Sequence, residues 1–555
     1  MIHRDSLNDL IADYQARTVD RRSFIARAGA LGISGKAIAA LLGVAGVAVP
    51  AGLSAQEASG TLRFAVTTDP ETLDPQNTSN GAAWTVFNRI YSALVYQDLD
   101  LTYKGFLADS WETSDDSLEI TFTLKEGLTF HDGSTVDAEA VKYTWDRLAA
   151  TGVKNPNHEL AKGIEATVVD PLHITFTFTA PSATFFHAIS DGYTGILSPA
   201  ATEAAGEDYG RQPVGTNSFM LADWQTGTLV TLGAFDGFTT PEGYFENTGP
   251  SKIANLEYKV IAESFQQVAS LETGEVDAVE LSATDLPRFE NNDQYAIFPS
   301  NSTGIMYLGI TQTRPITSDP IVRTAIAHAI DRTEIVDTLY TGGLAEACST
   351  PLPPSVPGYN AELEALAPAF DIEAGKALLE EAGWVAGDEE IRAKDGAPLA
   401  LQLYTTTATE MGQLATLLQA QIRKIGIDVQ INQLEVAALL DFTPKGEHDL
   451  LLLSWGWGDP NALYLFLSTD RMASSNRVHY SNPEVDDLLL QGQQELDVDA
   501  RMQIYYDIQT ILLEDLPWVP LFMPISKTAI STRVKDVDMF PTSGWVLIHD
   551  ATVEG

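Results

Sequence analysis

Of the residue patterns that support bond-breaking chemistry, only fragments occur in this chain. His158-Glu159 begins like the helix of a zinc peptidase, where two histidines four residues apart hold the metal from one face, but the position four after His158 is Lys162. No two of the nine histidines are spaced by four, and no Gly-x-Ser-x-Gly elbow is present to raise a nucleophile. Cys348 is the single cysteine, so neither an intrachain disulfide nor a cysteine-based zinc or iron–sulfur site can form, and its apolar-to-loop setting reads as inert. Asp and Glu are so abundant that a pair at glycosidase separation would carry no information. These patterns imply no catalytic residue, no cofactor and no metal.

What remains is recognition chemistry, concentrated in His448–Leu467, HDLLLLSWGWGDPNALYLFL. Leu450 to Leu453 is a short apolar run bounded by Gly and Pro, as expected of a strand buried on both faces that ends in a tight turn. Trp455 and Trp457 offer flat apolar surface with one donor each, Gly456 and Gly458 let another backbone approach, and Asp459 adds a charge. The plainer reading makes one Trp a core residue and the other a surface staple.

The bulk properties bound what such a turn can serve. At 555 residues the chain exceeds one core and suits two or three lobes, and 45% hydrophobic content is that of a globular protein. With 33 basic against 76 acidic residues the formal charge is -43, which argues against a nucleic-acid or anionic-lipid surface and favours solubility, and salt would screen the self-repulsion it creates. Asp20-Arg21-Arg22-Ser23-Phe24-Ile25 is a twin-arginine sequence, followed by the Ala/Gly-rich apolar stretch Ala37–Val49 and small residues ending at Ala55. Residues 1–55 are therefore expected to be a signal peptide cleaved near Ala55, which sends a folded, non-spanning protein to the periplasm or cell exterior.

The elements that must position the turn follow in order. Thr61–Thr68 alternates as a strand and leads through the polar loop Asp69–Gly81 to Trp84, Phe87, Ile90, Tyr91, Leu94 and Val95 at helical spacing. Leu118–Leu124 and His173–Thr179 are alternating strands around a helix that Asp137 can cap, a small α/β lobe. A mainly β section opens at Arg211, and Glu263–Thr273 is helical up to Gly274. From Met306 long helices alternate with strands: one from Ser318-Pro320 through Leu339, one capped by Asp371, one over Met411–Ile425, and one over Asp486–Glu514 before the apolar Leu516–Phe522.

In this order and spacing the residues resemble one family over essentially the whole chain after the leader: the solute-binding proteins of peptide- and nickel-type ABC importers (solute-binding family 5). The matching pieces include Leu73-Asp74-Pro75, the stretch Leu107–Leu148, PVGTNSF at Pro213–Phe219, GEVDAV at Gly274–Val279, DPIVRTAIAHAIDRTEIV at Asp319–Val336, KALLEEAGW at Lys376–Trp384, IRKIGIDV at Ile422–Val429 and Tyr506–Phe522. The resemblance implies an α/β, two-lobed periplasmic-binding-protein fold, class II-like, with an extra inserted lobe. Lobe I would comprise 56–98, 213–305 and 519–555, the inserted lobe 99–212, and lobe II 306–518, in agreement with the changes of texture read above. It further implies a monomer that closes hinge-like on a small solute and docks on permease subunits coupled to a cytoplasmic ATPase.

In family members that take peptides, main-chain groups hold an extended ligand much as an added strand is held. The matching positions here are Asn77, Thr78, Ser79 and Asn80 in the first loop, and Trp455, Gly456, Trp457, Gly458 and Asp459 in the turn. One departure stands out. Peptide binders usually carry a longer Asp-Tyr-x-Asp-Pro segment after this Gly-Trp, whose first Asp pairs with the ligand's α-amine, whereas this chain runs from Gly458 directly to Asp459-Pro460. Either Asp459 takes over that pairing or the ligand is another polar solute, such as an opine or oligosaccharide; a secreted hydrolase is the alternative from another class.

Overall fold

A single fourteen-residue strand, Trp518–Ser531, is shared by both halves of the main sheet. Its first part pairs antiparallel with Gly304–Ile310 and Ala345–Ala347, and its second with Ala278–Glu280 and Tyr295–Asn301. The computed structural model describes residues 58–98, 102–150, 152–239, 246–387, 390–540 and 545–554; the leader expected over 1–55 lies outside them. On one side the sheet continues from Gly304–Ile310 to Leu450–Gly456, Ala400–Thr406 and Asp428–Leu434. On the other it continues from Ala278–Glu280 to Thr61–Val66, Asn255–Val260, Leu229–Ala234 and Phe219–Gln225. The two sides mix parallel and antiparallel pairs, and helices such as Pro320–His328, Ile372–Glu381 and Thr409–Arg423 lay their apolar stripes on the first. Among the described residues no helix is long and apolar enough to cross a membrane.

Leu450, Leu451 and Leu452 are fully buried because the strand that carries them has paired neighbours on both edges and core on both faces. At its end Gly304 lies so close to the partner strand that a Cβ there would stand 1.5 Å from the carbonyl oxygen of Trp455. A side chain at 304 would break the pairing that aims the turn.

A separate four-stranded antiparallel sheet, in the order Ala108–Thr113, Glu119–Leu124, His173–Phe178, Ile164–Asp170, forms the small α/β layer. The helix Ala138–Ala149 covers it, started by Asp137, whose carboxylate accepts from the Ala140 amide at 3.0 Å. Phe185 plugs this layer, its ring 4.9 Å from Phe178, 5.1 Å from Phe176 and 5.6 Å from Trp145.

Three helical expectations end earlier than periodicity suggests, each for a stated reason. The helix at Trp84 covers only Gly81–Phe87; beyond it Asn217 bonds the carbonyls of Asn88 and Tyr91 with its side chain and that of Ile90 with its amide. The stretch 320–339 is two helices, the second restarted by Asp331, which accepts from the Glu334 amide. The stretch 486–514 is likewise Pro483–Gln494 and Val498–Asp515, restarted by Asp497. An Asp inside an apolar periodic run can start a new helix as well as decorate an old one.

Phe185→Ala removes the plug beneath the segment that continues into His187–Tyr193, and is expected to cost about 3–5 kcal/mol in denaturant unfolding. A loss under about 1 kcal/mol would mean the layer repacks around the gap.

Candidate functional site

A cavity of about 420 Å³ opens where several stretches of chain distant in sequence meet. The helix Gly81–Phe87 and the turn after it bring Trp84, Asn88, Arg89 and Tyr91. The turn His187–Tyr193 brings His187 and Asp191, and the segment behind it brings Asn217. Phe540, Trp545 and His549 enter from the C-terminal segment, and Thr303 with Gly456-Trp457-Gly458 closes the side nearest the α/β half. The volume lies at the small end of the ~300–1,000 Å³ range of ligand sites, and the lining mixes aromatic rings with polar and charged side chains.

The turn read from the sequence is split by the end of its strand. Trp455 and Trp457, two apart, would share a face if the strand continued. It stops at Gly456. Trp455 therefore stays in the core, 6% exposed and packed on Phe466 and Trp518, while Trp457 turns to the cavity with its ring 5.8 Å from that of His187. Gly458 is where the two walls touch: a Cβ there would meet His187 Cε1 at 3.3 Å. Nearby, the Ala183 amide donates to the Gln493 carbonyl at 2.8 Å, a second link between the small layer and the α/β half.

Asp459 is turned away from the cavity. Its carboxylate receives both Nη atoms of Arg501, at 2.8 and 3.1 Å, and the Asn461 amide at 2.8 Å. Burial alone would lower the Arg501 pKa, but the charge and hydrogen bonds of Asp459 outweigh it and hold the guanidinium above its ordinary value. Asp459 is thus committed to a buried bidentate pair and does not face the solute space.

The loop Asn77–Asn80 acts at one remove. Thr78 is buried and donates to Glu71, its oxygen takes the Asn80 amide, and Asn80 accepts from Ala82 to cap the helix that presents Trp84. The Asn77 amide bonds the Asp74 carbonyl, and Ser79 is exposed. Of the expected site residues, Gly456, Trp457 and Gly458 are brought together on the cavity wall; Asn77, Thr78, Ser79, Asn80, Trp455 and Asp459 are not on it.

The charged residues on the wall were not foreseen. Arg89 donates to the Val546 carbonyl and lies 3.6 Å above the ring of Trp545, which meets Trp84 edge-on at 5.1 Å. Asp191 accepts from the Trp84 indole at 3.1 Å and from the Tyr193 amide at 2.8 Å. Burial pushes its carboxyl above the ordinary value, only partly offset by the Tyr193 amide, His187 and the Trp84 indole. His549 is pushed down to about 3 by burial and by the charge of Arg89, so it is neutral at physiological pH. No sequence signal pointed to Arg89, Asp191 or His549, whereas Asn217 on the same wall lies in PVGTNSF. Among the described residues, no group of three or more His, Cys, Asp or Glu could hold a metal ion.

Residues 102–474, more than half of the chain, match the family model for bacterial extracellular solute-binding proteins, family 5 (middle). The probable D,D-dipeptide-binding periplasmic protein DdpA of Escherichia coli K12 is 28% identical over 485 residues, 84% of this chain and 89% of that one. The glutathione-binding protein GsiB of the same strain is 26% identical over 517 residues, 90% of this chain and 96% of its own. The structure of NikA from Brucella suis, in complex with Fe(III)-EDTA, superposes with a TM-score of 0.79 at 26% identity, over 89% of this chain and all of that one.

Two substitutions separate support from contact. Arg501→Met strands Asp459 as a buried charge and is expected to cost about 3–5 kcal/mol in unfolding, with solute affinity of the folded fraction unchanged. Gly458→Val presses on His187 where the walls meet; an overpacking cost of about 1–3 kcal/mol in the closed arrangement reads as a roughly 5- to 150-fold loss of affinity by calorimetry.

Proposed function

The chain belongs to the bacterial extracellular solute-binding proteins of family 5, and from that premise we propose that it captures short peptides in this cavity and delivers them to the permease of an ABC importer. The observation that carries the reading is the cavity itself: walls from both sides of the shared strand, three tryptophans, and charged groups of both signs. A peptide presents that same mixture of apolar side chain and charged ends. The names of DdpA and GsiB, a probable D,D-dipeptide binder and a glutathione binder, agree with a small peptide, as does the modest volume. The protein works as a monomer in the periplasm, exported by the twin-arginine route that Asp20–Ile25 suggests, and it binds without turnover.

Closure brings the Gly456–Gly458 turn against His187, and the permease receives that closed form. The second reading keeps the importer role for a polar solute without a free amine. It is favoured by the engagement of Asp459 with Arg501, which removes the carboxylate expected to take an α-amine.

Thermal unfolding with panels of di- to pentapeptides, opines and oligosaccharides tests both. A ligand at about a hundred times its dissociation constant adds about 2.7 kcal/mol. Di- and tripeptides are expected to raise the melting temperature most; a rise confined to sugars or opines removes the peptide and keeps the solute-binding role.

A further inference from the structure

Buried acids in this protein are paired with arginine almost as a rule. Asp74 holds Arg147, Asp277 holds Arg533, Asp449 holds Arg314 and Asp459 holds Arg501. Each of these carboxylates is built into the fold, and none faces the cavity. Asp191 differs in both respects. Among the described residues it makes no ion pair; its hydrogen bonds come from neutral donors, the Trp84 indole and the Tyr193 amide, and it stands on the cavity wall.

A carboxylate partly withdrawn from water and left without an arginine or lysine is costly, and a protein that repeatedly supplies arginine elsewhere has omitted it here. We infer that Asp191 pairs with a positively charged amine of the solute, the role that the shortened turn at Asp459 has given up. Recognition of the amine would then come from the turn His187–Tyr193 of the small layer, on the wall opposite Trp457. The His187 ring limits the space beside Asp191, since it already packs on Trp457. A compact ammonium suits that space better than a guanidinium. This inference rests on the solute-binding reading and names the group of the solute that the site selects.

The test compares a dipeptide, its N-acetyl derivative and a neutral oligosaccharide by calorimetry, on the unmodified protein and on Asp191→Asn and Asp191→Glu. High salt screens the attraction that a net charge of -43 exerts on any cation. The unmodified protein is expected to bind the free-amine peptide at least about 30-fold more tightly than the acetylated one, the size of loss seen when one partner of a desolvated charge pair is removed. D191N should abolish that preference and leave the unliganded melting temperature equal or higher, because burial penalises the charge it removes. D191E should keep part of the preference. Equal binding of free and acetylated peptide by the unmodified protein overturns the inference whatever the variants do, and so does a D191N that still prefers the free amine. Both of these outcomes leave solute binding intact, whereas binding of none of the three ligand classes would sink the peptide reading and this inference together.

Discussion

A carboxylate removed from water must meet positive charge, meet several donors, or take up a proton, and in this chain positive charge is scarce. Against 76 acidic residues there are 33 lysines and arginines. The structure spends arginine where acids are buried and leaves the excess on the surface, where water solvates it. Arg147 on Asp74 fixes the first loop to the helix Ala138–Ala149. Arg533 on Asp277 ties the end of the shared strand to the strand beside it. Arg501 on Asp459 locks the chain immediately after Gly458 to the helix Val498–Asp515. These three pairs brace the fold around the cavity without lining it, so this part of the electrostatics never touches the solute.

The aromatic turn shows how a fixed support makes a movable contact possible. Behind Gly456 the chain is immobilised by Trp455 in the core and by the close approach of Gly304. Beyond it Asp459 is anchored. Only Gly456-Trp457-Gly458 is presented, and it meets His187 without a covalent or ionic tie. A contact of that kind can be made and released at small cost, while the core packing on one side and the ion pair on the other keep its geometry reproducible.

Much of this was legible in the residues because it is local. Alternation marked the strands at Thr61, Glu119 and His173, and Asp137 and Asp371 announced the helices they cap. The aromatic turn stood out because two tryptophans and two glycines fall in four consecutive positions at the end of an apolar run. What periodicity could not reveal were the helix breaks at Asp331 and Asp497, where a cap inside an apolar run looks the same as a surface acid. Nor could it show that Asn77–Asn80 supports the helix of Trp84 instead of facing the cavity, because that depends on which way a capped helix points. Asp191 had no local signature at all. Its meaning comes from the approach of Trp84, more than a hundred positions away, and from the arginine that is missing beside it.

The shared strand also sets when this protein can become itself. Trp518–Ser531 pairs with strands near residues 279, 298, 307 and 346, so every one of those ladders closes a loop of well over a hundred residues. During synthesis the two halves of the sheet emerge first and wait with facing edges unpaired until the last few dozen residues leave the ribosome. Unsealed edges of that kind invite association with other chains. Assembly of the sheet is therefore a terminal, slow event dominated by contacts distant in sequence, and the chain's large negative charge, which keeps nascent copies apart, protects it through that interval.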